Sequence, residues 1–297
     1  MYVPRCEAHE KSSAIDICSC FDSLVRRMKP VLAETQKAVE TPQTAQGMVL
    51  IPAGDFWMGR THFFLIDEVG WLERDRRDDT PAHRVQVDAY YMDKYEITNE
   101  EYAGFAEMAG KPKLWYWPGG KVAKGEERQP VHDVTWYEAD AYCKSLGKRL
   151  PTEAEWERAA RGGVEKQKFS WGDTGVGLAG NDPDNGGGGG GERTRQAHVG
   201  YPWGPAAVGS YPPNGYGLYD IIGNVWEWIS DWYDRDYYTV TPDRNPQGPA
   251  SGTYKVIRGG GWSDDDERNL MNHYRNYSDP STRTYTIGFR CAKAANP

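Results

Sequence analysis

Three short segments of the chain each carry a helix start signal and a helix stop signal. A threonine followed three residues later by a glutamate forms a capping box, in which each side chain accepts a backbone N–H of the other residue. A glycine at the far end suits the left-handed residue that follows many helices. The pattern occurs in TNEEYAGFAEMAG, TWYEADAYCKSLG and TEAEWERAARGG, with its residues at Thr98, Glu101 and Gly110, at Thr135, Glu138 and Gly147, and at Thr152, Glu155 and Gly162. The sequence therefore predicts three short, well-defined helices.

The segments around these helices predict short strands and many turns. MVLIPAGDFWMG and HRVQVDAYYMDKYEIT are β-rich runs that Gly, Pro and Asp interrupt, as in the strands of a compact sheet. The chain of 297 residues contains 12 Trp, 19 Tyr, 34 Gly and 19 Pro, and these numbers favour an aromatic core with much loop. We therefore expect one main domain with few strands and well-capped helices.

The chain before residue 48 differs from the rest. Apolar side chains recur at helical spacing between Ile17 and Leu32, which predicts an N-terminal amphipathic helix within residues 1–36. Residues 37–47 are polar and predict a linker to a main domain at 48–297. An amphipathic helix must bury its apolar face, so we expect a contact with this chain's own domain or with a partner.

The charge and hydropathy of the chain argue against some classes of partner. The formal net charge is −8, whereas a general electrostatic contact with nucleic acid or anionic lipid needs clustered Lys and Arg. No run of 18 apolar residues is present, so we expect no membrane span. The first residues lack a basic segment followed by an apolar stretch, and no signal peptide is evident. This slightly favours the cytoplasm over the periplasm or the cell exterior and leaves the compartment open.

Four motifs follow one another in the main domain. They are GKRLPTEAEWERAARGG at 147–163, PPNGYGLYDIIGNVWEW at 212–228, VIRGGGW at 256–262 and IGFRC at 287–291. Together they resemble the formylglycine-generating enzyme family, also called the sulfatase-modifying factor domain, over residues 48–292. The resemblance implies an α+β fold of the irregular C-type-lectin-like kind, with little regular secondary structure. It does not settle the function, because one fold carries several chemistries.

The resemblance also gives a reason to expect no copper-dependent oxidase activity. In the copper-dependent oxidases of the family, two cysteines follow the glycine-rich turn and bind copper(I) as thiolates. Aligned on Gly259, Gly260 and Trp262, the first cysteine falls on Asp264 and the second near Asn269. Carboxylate and amide oxygens are hard ligands and do not replace a thiolate pair for copper(I). We therefore expect no copper site and no formylglycine-generating oxidase activity.

Four consecutive acids follow the glycine-rich turn and allow two interpretations. A like-charged run from Asp264 to Glu267 is most often a solvated loop. Alternatively, Asp264 or Glu267 acts with Tyr274 as acid and base in a different reaction of the same fold. The resemblance places a substrate or partner groove in this part of the chain, at the positions Trp262, His273, Tyr274 and Arg275.

A calcium site is the ligand site that the resemblance implies most directly. In the family, a turn matching IIGNVWE surrounds Ca²⁺ with the hard oxygen ligands that this ion prefers. The alternative is that Glu227 pairs with a nearby arginine. A second, weaker calcium site starts at Asn181 and Asp182 by the same resemblance. The groups that match the first site are two side chains and two backbone carbonyls, namely those of Asn224 and Glu227 and those of Ile222 and Val225.

Two of the five cysteines match a pair that forms a disulfide in related proteins. These are Cys143, in AYCKSLGKRLP, and Cys291, in IGFRC. The resemblance therefore predicts that the two are adjacent, whereas their oxidation depends on a compartment that the sequence leaves open. The other three, Cys6, Cys18 and Cys20, do not supply the four ligands of a structural zinc site.

Three functions are compatible with these residues to different degrees. The first is a calcium-stabilised binding or maturation module with a protein or peptide partner. The second is an enzyme of the same fold with different, oxidative maturation chemistry that uses the carboxylates and Tyr274. The third, a true formylglycine-generating oxidase, conflicts with Asp264 and Asn269 at the cysteine positions. Whether the chain is an enzyme stays open at this point.

Overall fold

The computed structural model describes residues 47–62, 78–111, 113–173, 204–264 and 266–295. The chain separates into two compact units, Met1–Gln43 and Thr44–Pro297. The predicted N-terminal helix, most of the linker after it and the second predicted calcium site at Asn181 and Asp182 lie outside the described residues. Those three stay predictions.

Three helices form where the sequence predicts them. They are α1 (Asn99–Met108), α2 (Trp136–Ser145) and α3 (Glu153–Ala160). Each starts with a complete capping box, in which the threonine hydroxyl accepts the glutamate N–H and the glutamate carboxylate accepts the threonine N–H. The glycines that follow, Gly110, Gly147 and Gly162, have positive φ, which glycine adopts without strain. The three helix predictions are confirmed.

The described residues also form nine short strands in three small sheets. The strands are β1 (Met48–Ile51), β2 (Gly54–Met58), β3 (His83–Val87), β4 (Tyr90–Asp93), β5 (Trp226–Trp232), β6 (Lys255–Arg258), β7 (Asn276–Ser278), β8 (Ile287–Gly288) and β9 (Ala292–Ala294). Antiparallel pairing joins β1, β4 and β9 in one sheet and β2 and β3 in another. The third sheet has the order β7–β6–β5–β8, with β5 and β8 parallel. The predicted α+β fold with little regular secondary structure is confirmed.

Helix α3 lies at the centre of the packing. All of its residues are buried, and its Trp156 belongs to a core cluster with Ile229 and Val256 of the third sheet. A second cluster gathers aromatic side chains of α1 and α2, among them Tyr102 and Tyr142, whose ring centroids lie 5.9 Å apart. Within the described residues, no helix is long and apolar enough to cross a membrane.

Two buried carboxylates of α3 are neutralised by arginines. The Glu157 carboxylate lies 2.6 Å from Arg258 of β6 and 2.7 Å from Arg161 at the end of the helix. Arg275, just before β7, reaches Glu153 at 2.7 Å. Burial by itself raises the pKa of Glu157, but Arg161 and Arg258 outweigh it and hold that pKa below its usual value. The ion pairs of Glu157 with Arg258 and of Glu153 with Arg275 therefore connect α3 to β6 and to the residue before β7.

The predicted cysteine pair forms a disulfide. Cys143 of α2 and Cys291, the residue before β9, have Cα atoms 5.6 Å apart and are separated by 148 positions in the sequence. Closing a loop of this length contributes up to about 5 kcal/mol in the chain-entropy model. The bond ties α2 to the last strand and so fixes the neighbouring Arg290, whose role is described below.

Candidate functional site

The glycine turn, residues 259–261, connects strand β6 to the acids that follow it. Gly259 and Gly260 have φ of +100° and +73°, a region that favours glycine. A Cβ at Gly260 would lie 2.5 Å from the Leu270 side chain and 2.9 Å from a backbone oxygen, so a larger residue does not fit. The turn is therefore built for close packing of backbone against backbone.

The glycine turn packs on the acidic turn, which is the name used here for residues 220–227 leading into β5. The Gly223 N–H donates to the Gly259 carbonyl at 2.9 Å. The Trp262 N–H donates to the Asn224 carbonyl at 2.8 Å. The segment expected to replace the copper cysteines and the segment expected to bind calcium are thus neighbours in space.

Asp264 and Asn269 contact each other beside the glycine turn. The Asn269 Nδ2 donates to Asp264 Oδ1 at 2.6 Å, and the Gly261 N–H donates to Asp264 Oδ2 at 2.6 Å. Both carboxylate oxygens of Asp264 therefore accept a hydrogen bond, and the side chain closes the turn. The two positions to which the resemblance assigns the copper cysteines face one another, but they carry a carboxylate and an amide.

The other described acids of the run have local roles. Asp266 caps a short 3₁₀ turn, Glu267–Leu270, by accepting the Arg268 N–H. Its carboxylate also lies 2.6 Å from the Arg268 guanidinium, and both side chains are partly exposed. Glu267 is the first residue of that turn and is partly buried. Asp264 and Asp266 therefore hold the backbone of this loop through local hydrogen bonds. The loop is not simply a solvated run of like charges.

Of the predicted groove residues, two lie in the interior. His273 is 1% exposed, and its Nδ1 lies 2.9 Å from the Asp79 carboxylate. Arg275 is 3% exposed, and its guanidinium is bonded to Glu153 and lies 4.3 Å from the Tyr238 ring centroid. Because both side chains point into the core, they do not line the open groove that the sequence predicted.

The other two predicted groove residues are nearer the surface. The Trp262 ring lies 5.8 Å from that of Tyr285, which is 53% exposed. Tyr274 is partly buried and packs against both core clusters, with its ring 6.1 Å from that of Trp226. Trp262 therefore lies partly exposed beside Tyr285, whereas Tyr274 mainly joins the two clusters.

Sequence reasoning missed a third exposed aromatic residue of this region. Trp115 is 74% exposed, and its side chain hydrogen-bonds with the carboxylate of Asp133. The Asp133 N–H in turn donates to the Thr284 carbonyl at 2.9 Å, next to Tyr285. We name Trp115, Trp262 and Tyr285 the aromatic surface. Its members come from three distant segments, so no local pattern in the sequence identifies it.

The two side chains predicted to bind calcium make hydrogen bonds within the protein. Both oxygens of Glu227 face Arg290 Nε, at 2.8 and 2.9 Å, and Trp156 Nε1 donates to one of them at 2.9 Å. The Asn224 amide oxygen accepts the Ala206 N–H at 2.9 Å. The alternative stated above, that Glu227 pairs with an arginine, therefore describes the contact that is present.

The acidic turn nevertheless gathers buried acids with raised pKa values. Burial, with repulsion from Asp220 and Glu227, raises the pKa of Glu96 well above its usual value. Burial also raises the pKa of Asp220 to about 6, although a hydrogen bond from the Gly209 N–H and the charge of Arg290 lower it. Arg290 is bonded to Glu227, and the Glu96 oxygens accept the Asn224 Nδ2 and the Val225 N–H, whereas Asp220 Oδ1 is buried without a hydrogen-bond partner.

These carboxylates do not form a closed metal centre by themselves. Across the ranges that the structure describes, no group of three or more His, Cys, Asp or Glu side chains is arranged to hold a metal ion. The open Asp220 oxygen and the carbonyls of Ile222 and Val225 in the same turn are oxygen donors, which suit a hard cation. Calcium at this turn stays a prediction.

Comparison with known sequences gives one family. The chain matches the model described as "Sulfatase-modifying factor enzyme 1-like domain" over residues 34–295. It is 32% identical to the formylglycine-generating enzyme of Streptomyces coelicolor, over 90% of this chain and 95% of that protein. It is 30% identical to the mouse protein named inactive C-alpha-formylglycine-generating enzyme 2, over 84% of this chain and 86% of that protein. The similar proteins thus include one named for the activity and one named as inactive.

Two further comparisons concern length and fold. The serine/threonine-protein kinase pkn1 of Chlamydia pneumoniae is 35% identical over 89% of this chain, which spans only 40% of the length of that kinase. Among solved structures, PvdO from Pseudomonas aeruginosa has a TM-score of 0.63 at 26% identity, over 83% of this chain and 94% of PvdO. The latter comparison supports the same irregular α+β fold.

Proposed function

Because the chain belongs to the sulfatase-modifying factor family, we propose that it is a binding or assembly module without formylglycine-generating oxidase activity. The observation that carries the proposal is the contact between Asp264 and Asn269, 2.6 Å apart, at the positions assigned to the copper cysteines. A carboxylate and an amide are hard, weakly nucleophilic groups, so they supply neither the thiolates for copper(I) nor a sulfur that exchanges with a substrate cysteine.

The same contact weighs against a different acid–base reaction at Asp264. Both oxygens of the Asp264 carboxylate accept hydrogen bonds, and accepted hydrogen bonds stabilise the ionised form and make the group a weaker base. Tyr274, its suggested partner, is packed between the two core clusters. These observations favour a binding role over the alternative of oxidative maturation chemistry with Asp264, Glu267 and Tyr274.

The aromatic surface supports a protein or peptide partner. Trp115 and Tyr285 are both more than half exposed, and aromatic residues dominate the energetics of many protein interfaces. Asp133 holds Trp115 in place and is bonded to the Tyr285 segment, so the two rings are presented in a fixed arrangement. A preorganised surface loses less conformational entropy on binding. The partner that this chemistry fits is an extended peptide with apolar or aromatic side chains.

Calcium is the ion that we propose for the acidic turn. Asp220, through its open oxygen, and the nearby carboxylates of Glu96 and Glu227 would hold it together with the turn carbonyls. The ion would supply positive charge next to carboxylates that Arg290 alone does not neutralise. Its role is structural, because it would stiffen the turn on which the glycine turn rests.

The absence of oxidase chemistry is tested by restoring the thiolate pair. In a background with Cys6, Cys18 and Cys20 changed to Ser, the Asp264→Cys/Asn269→Cys variant should take one equivalent of copper(I) from a colorimetric chelator. The parent background and the single Asp264→Cys variant should not, because they lack two facing thiolates. Copper(I) uptake by the parent contradicts the proposal, as does failure of a double variant whose circular dichroism matches the parent.

The binding role is tested with a displayed random peptide library selected on the purified chain. We expect enriched peptides whose binding is lost with Trp115→Ala or Tyr285→Ala. The matched control is Tyr254→Ala, which removes an aromatic residue of similar exposure, 41%, away from the aromatic surface. If no peptide is enriched, or if Tyr254→Ala weakens binding as much as Trp115→Ala, the assignment of this surface is wrong.

A further inference from the structure

Four buried polar atoms without hydrogen-bond partners lie on two pairs of consecutive residues. They are Thr61 Oγ1, His62 Nε2, Asn272 Oδ1 and His273 Nε2. Asn272 is 0% and His273 1% exposed, whereas Thr61 and His62 are partly buried. Most buried polar atoms in folded proteins have a partner, and a local group of exceptions needs an explanation such as an ion or a ligand.

The two pairs are joined through Asp79. The Arg60 Nε lies 3.0 Å from Asp79 Oδ1, and the His273 Nδ1 lies 2.9 Å from Asp79 Oδ2. Arg60 immediately precedes Thr61 and His62 in the chain. One buried carboxylate therefore holds the backbone before the first pair and the imidazole of the second.

The same two pairs also contact one loop, residues 166–168. The Asn272 N–H donates to the Lys168 carbonyl at 2.7 Å, and its Nδ2 donates to the Gln167 carbonyl at 3.1 Å. The His62 ring hydrogen-bonds with the backbone of Lys166. Two independent connections thus bring His62 and Asn272–His273 to one place, although about two hundred residues separate them in the sequence.

In their neutral forms, both imidazoles offer the lone pair of the same ring nitrogen. The Nδ1 of His273 faces a carboxylate, which only accepts, so in the neutral ring Nδ1 carries the proton and Nε2 is the acceptor. His62 Nε2 has no partner, so its backbone hydrogen bond uses Nδ1. Metal-binding histidines show this pattern, with the second nitrogen donating to a carboxylate or a carbonyl.

We propose that His62 and His273 bind one divalent transition-metal ion through Nε2, with the Asn272 amide oxygen and the Thr61 hydroxyl as the nearest oxygen ligands. Three of the four open atoms, the two Nε2 atoms and the Asn272 oxygen, offer lone pairs, which suits a cation. Only two of the ligands are imidazoles, so oxygen atoms complete the coordination.

The charges around the site indicate which ion it takes. Asp79 and Asp173 are offset by Arg60 and Lys168, so the surroundings add little net negative charge. Binding therefore depends on nitrogen coordination, which favours Zn²⁺, Ni²⁺ or Cu²⁺ over Ca²⁺ or Mg²⁺. This site is separate from the acidic turn and does not depend on the proposed function.

Calorimetric titration of the EDTA-treated chain with Zn²⁺ tests the site. We expect one saturable ion per chain, no effect of excess Mg²⁺, and about tenfold or greater loss of affinity in His62→Gln. The matched control is His83→Gln, because His83 also has a buried Nε2 without a partner, and its Nδ1 lies 2.9 Å from the Pro81 carbonyl oxygen. Unchanged Zn²⁺ affinity in His62→Gln, or no saturable binding, overturns the proposal.

His273 needs a test that does not remove it, because its bond to buried Asp79 also supports folding. Nuclear magnetic resonance of ring-labelled histidine in the unmodified chain reports on it directly. We expect the Nε2 resonances of His62 and His273 to shift together on addition of Zn²⁺, with that of His83 unchanged. A His273 resonance that does not move removes it from the site and refutes the two-histidine assignment.

Discussion

The glycine turn and the acidic turn lie against each other but differ in how their carboxylates are satisfied. At the glycine turn, each oxygen of Asp264 accepts a hydrogen bond from within the same loop. At the acidic turn, Glu227 is bonded to Arg290, but one oxygen of the buried Asp220 has no partner. The carboxylate of the glycine turn is therefore satisfied on both oxygens, whereas that of Asp220 is not.

This difference separates what the fold retains from what this chain has replaced. If the acidic turn binds the proposed cation, its stability should depend on that ion. The glycine turn has a carboxylate–amide hydrogen bond at the positions to which the resemblance assigns a thiolate pair, which supports the proposed structural role. The predictions that follow test each side of the comparison.

The largest effect is expected from removing the arginine that pairs with the acidic turn. Arg290 is fully buried and bonded to Glu227, so Arg290→Met leaves the Glu227 carboxyl in the interior without its partner. Breaking a buried ion pair from one side costs about 3–5 kcal/mol. Urea unfolding should show this loss of unfolding free energy, and added calcium should restore part of it.

The matched control for that substitution is Arg268→Met, which removes an arginine from a partly exposed pair with Asp266. Exposed pairs contribute up to about 1 kcal/mol. If both substitutions lower the unfolding free energy equally, the buried charge balance of the acidic turn does not matter as described.

A smaller effect is expected from pH and calcium acting on Asp220. Burial raises its pKa in the folded protein to about 6 from the usual 3.8, so the folded state holds this proton more tightly than the unfolded chain. Without calcium, stability should therefore fall as pH rises from about 4 to about 6, by about 3 kcal/mol. Bound calcium favours the ionised form and should reduce this loss.

The measurement is the unfolding free energy across this pH range, in EDTA and in excess calcium, for the unmodified chain and for Asp220→Asn. The variant isolates Asp220 from other buried acids such as Asp231, whose pKa burial raises to about 8. An identical pH profile in both proteins, or no effect of calcium on either, contradicts the assignment of an ion to this turn.

The smallest effect is expected at the glycine turn. Asp264→Ala removes two hydrogen bonds to a carboxylate, and the loss should be about 2 kcal/mol. A double-mutant cycle with Asn269→Ala should give a coupling of about 1 kcal/mol. Glu267→Ala, as the control, should change stability by less than about 0.5 kcal/mol. A coupling near zero means that the contact of Asp264 with Asn269 does not stabilise the turn.

The parts of the fold that the sequence predicted depend on local chemistry or on motifs. The capping boxes at Thr98, Thr135 and Thr152 are formed by contacts within four residues. The sequence signal for these three helix starts therefore depends little on the rest of the fold. The disulfide of Cys143 with Cys291 and the α+β fold followed from motif resemblance. Each of these predictions is confirmed, because the residues of the motif are the same residues that form the structural feature.

The parts that were not predicted depend on contacts between distant segments. Nothing near Arg275 in the sequence reveals that Glu153 draws it into the core, and a groove position was expected instead. Asp220 gains its open oxygen only through burial, and Trp115 is exposed while Trp117, two residues on, is buried. Whether a side chain is buried, and which residue it pairs with, depends on segments that are distant in the sequence. A local sequence pattern therefore does not predict either property.

The most direct test of the central claim is aldehyde formation. The chain is incubated in air with copper(I) and a sulfatase-motif peptide that contains the substrate cysteine, and the aldehyde is trapped with a hydrazine probe and measured by mass spectrometry. The formylglycine-generating enzyme of Streptomyces coelicolor serves as the positive control. We predict no aldehyde above a control with copper and peptide alone, because Asp264 and Asn269 cannot act as the thiolate pair. Catalytic aldehyde formation by this chain would contradict the account.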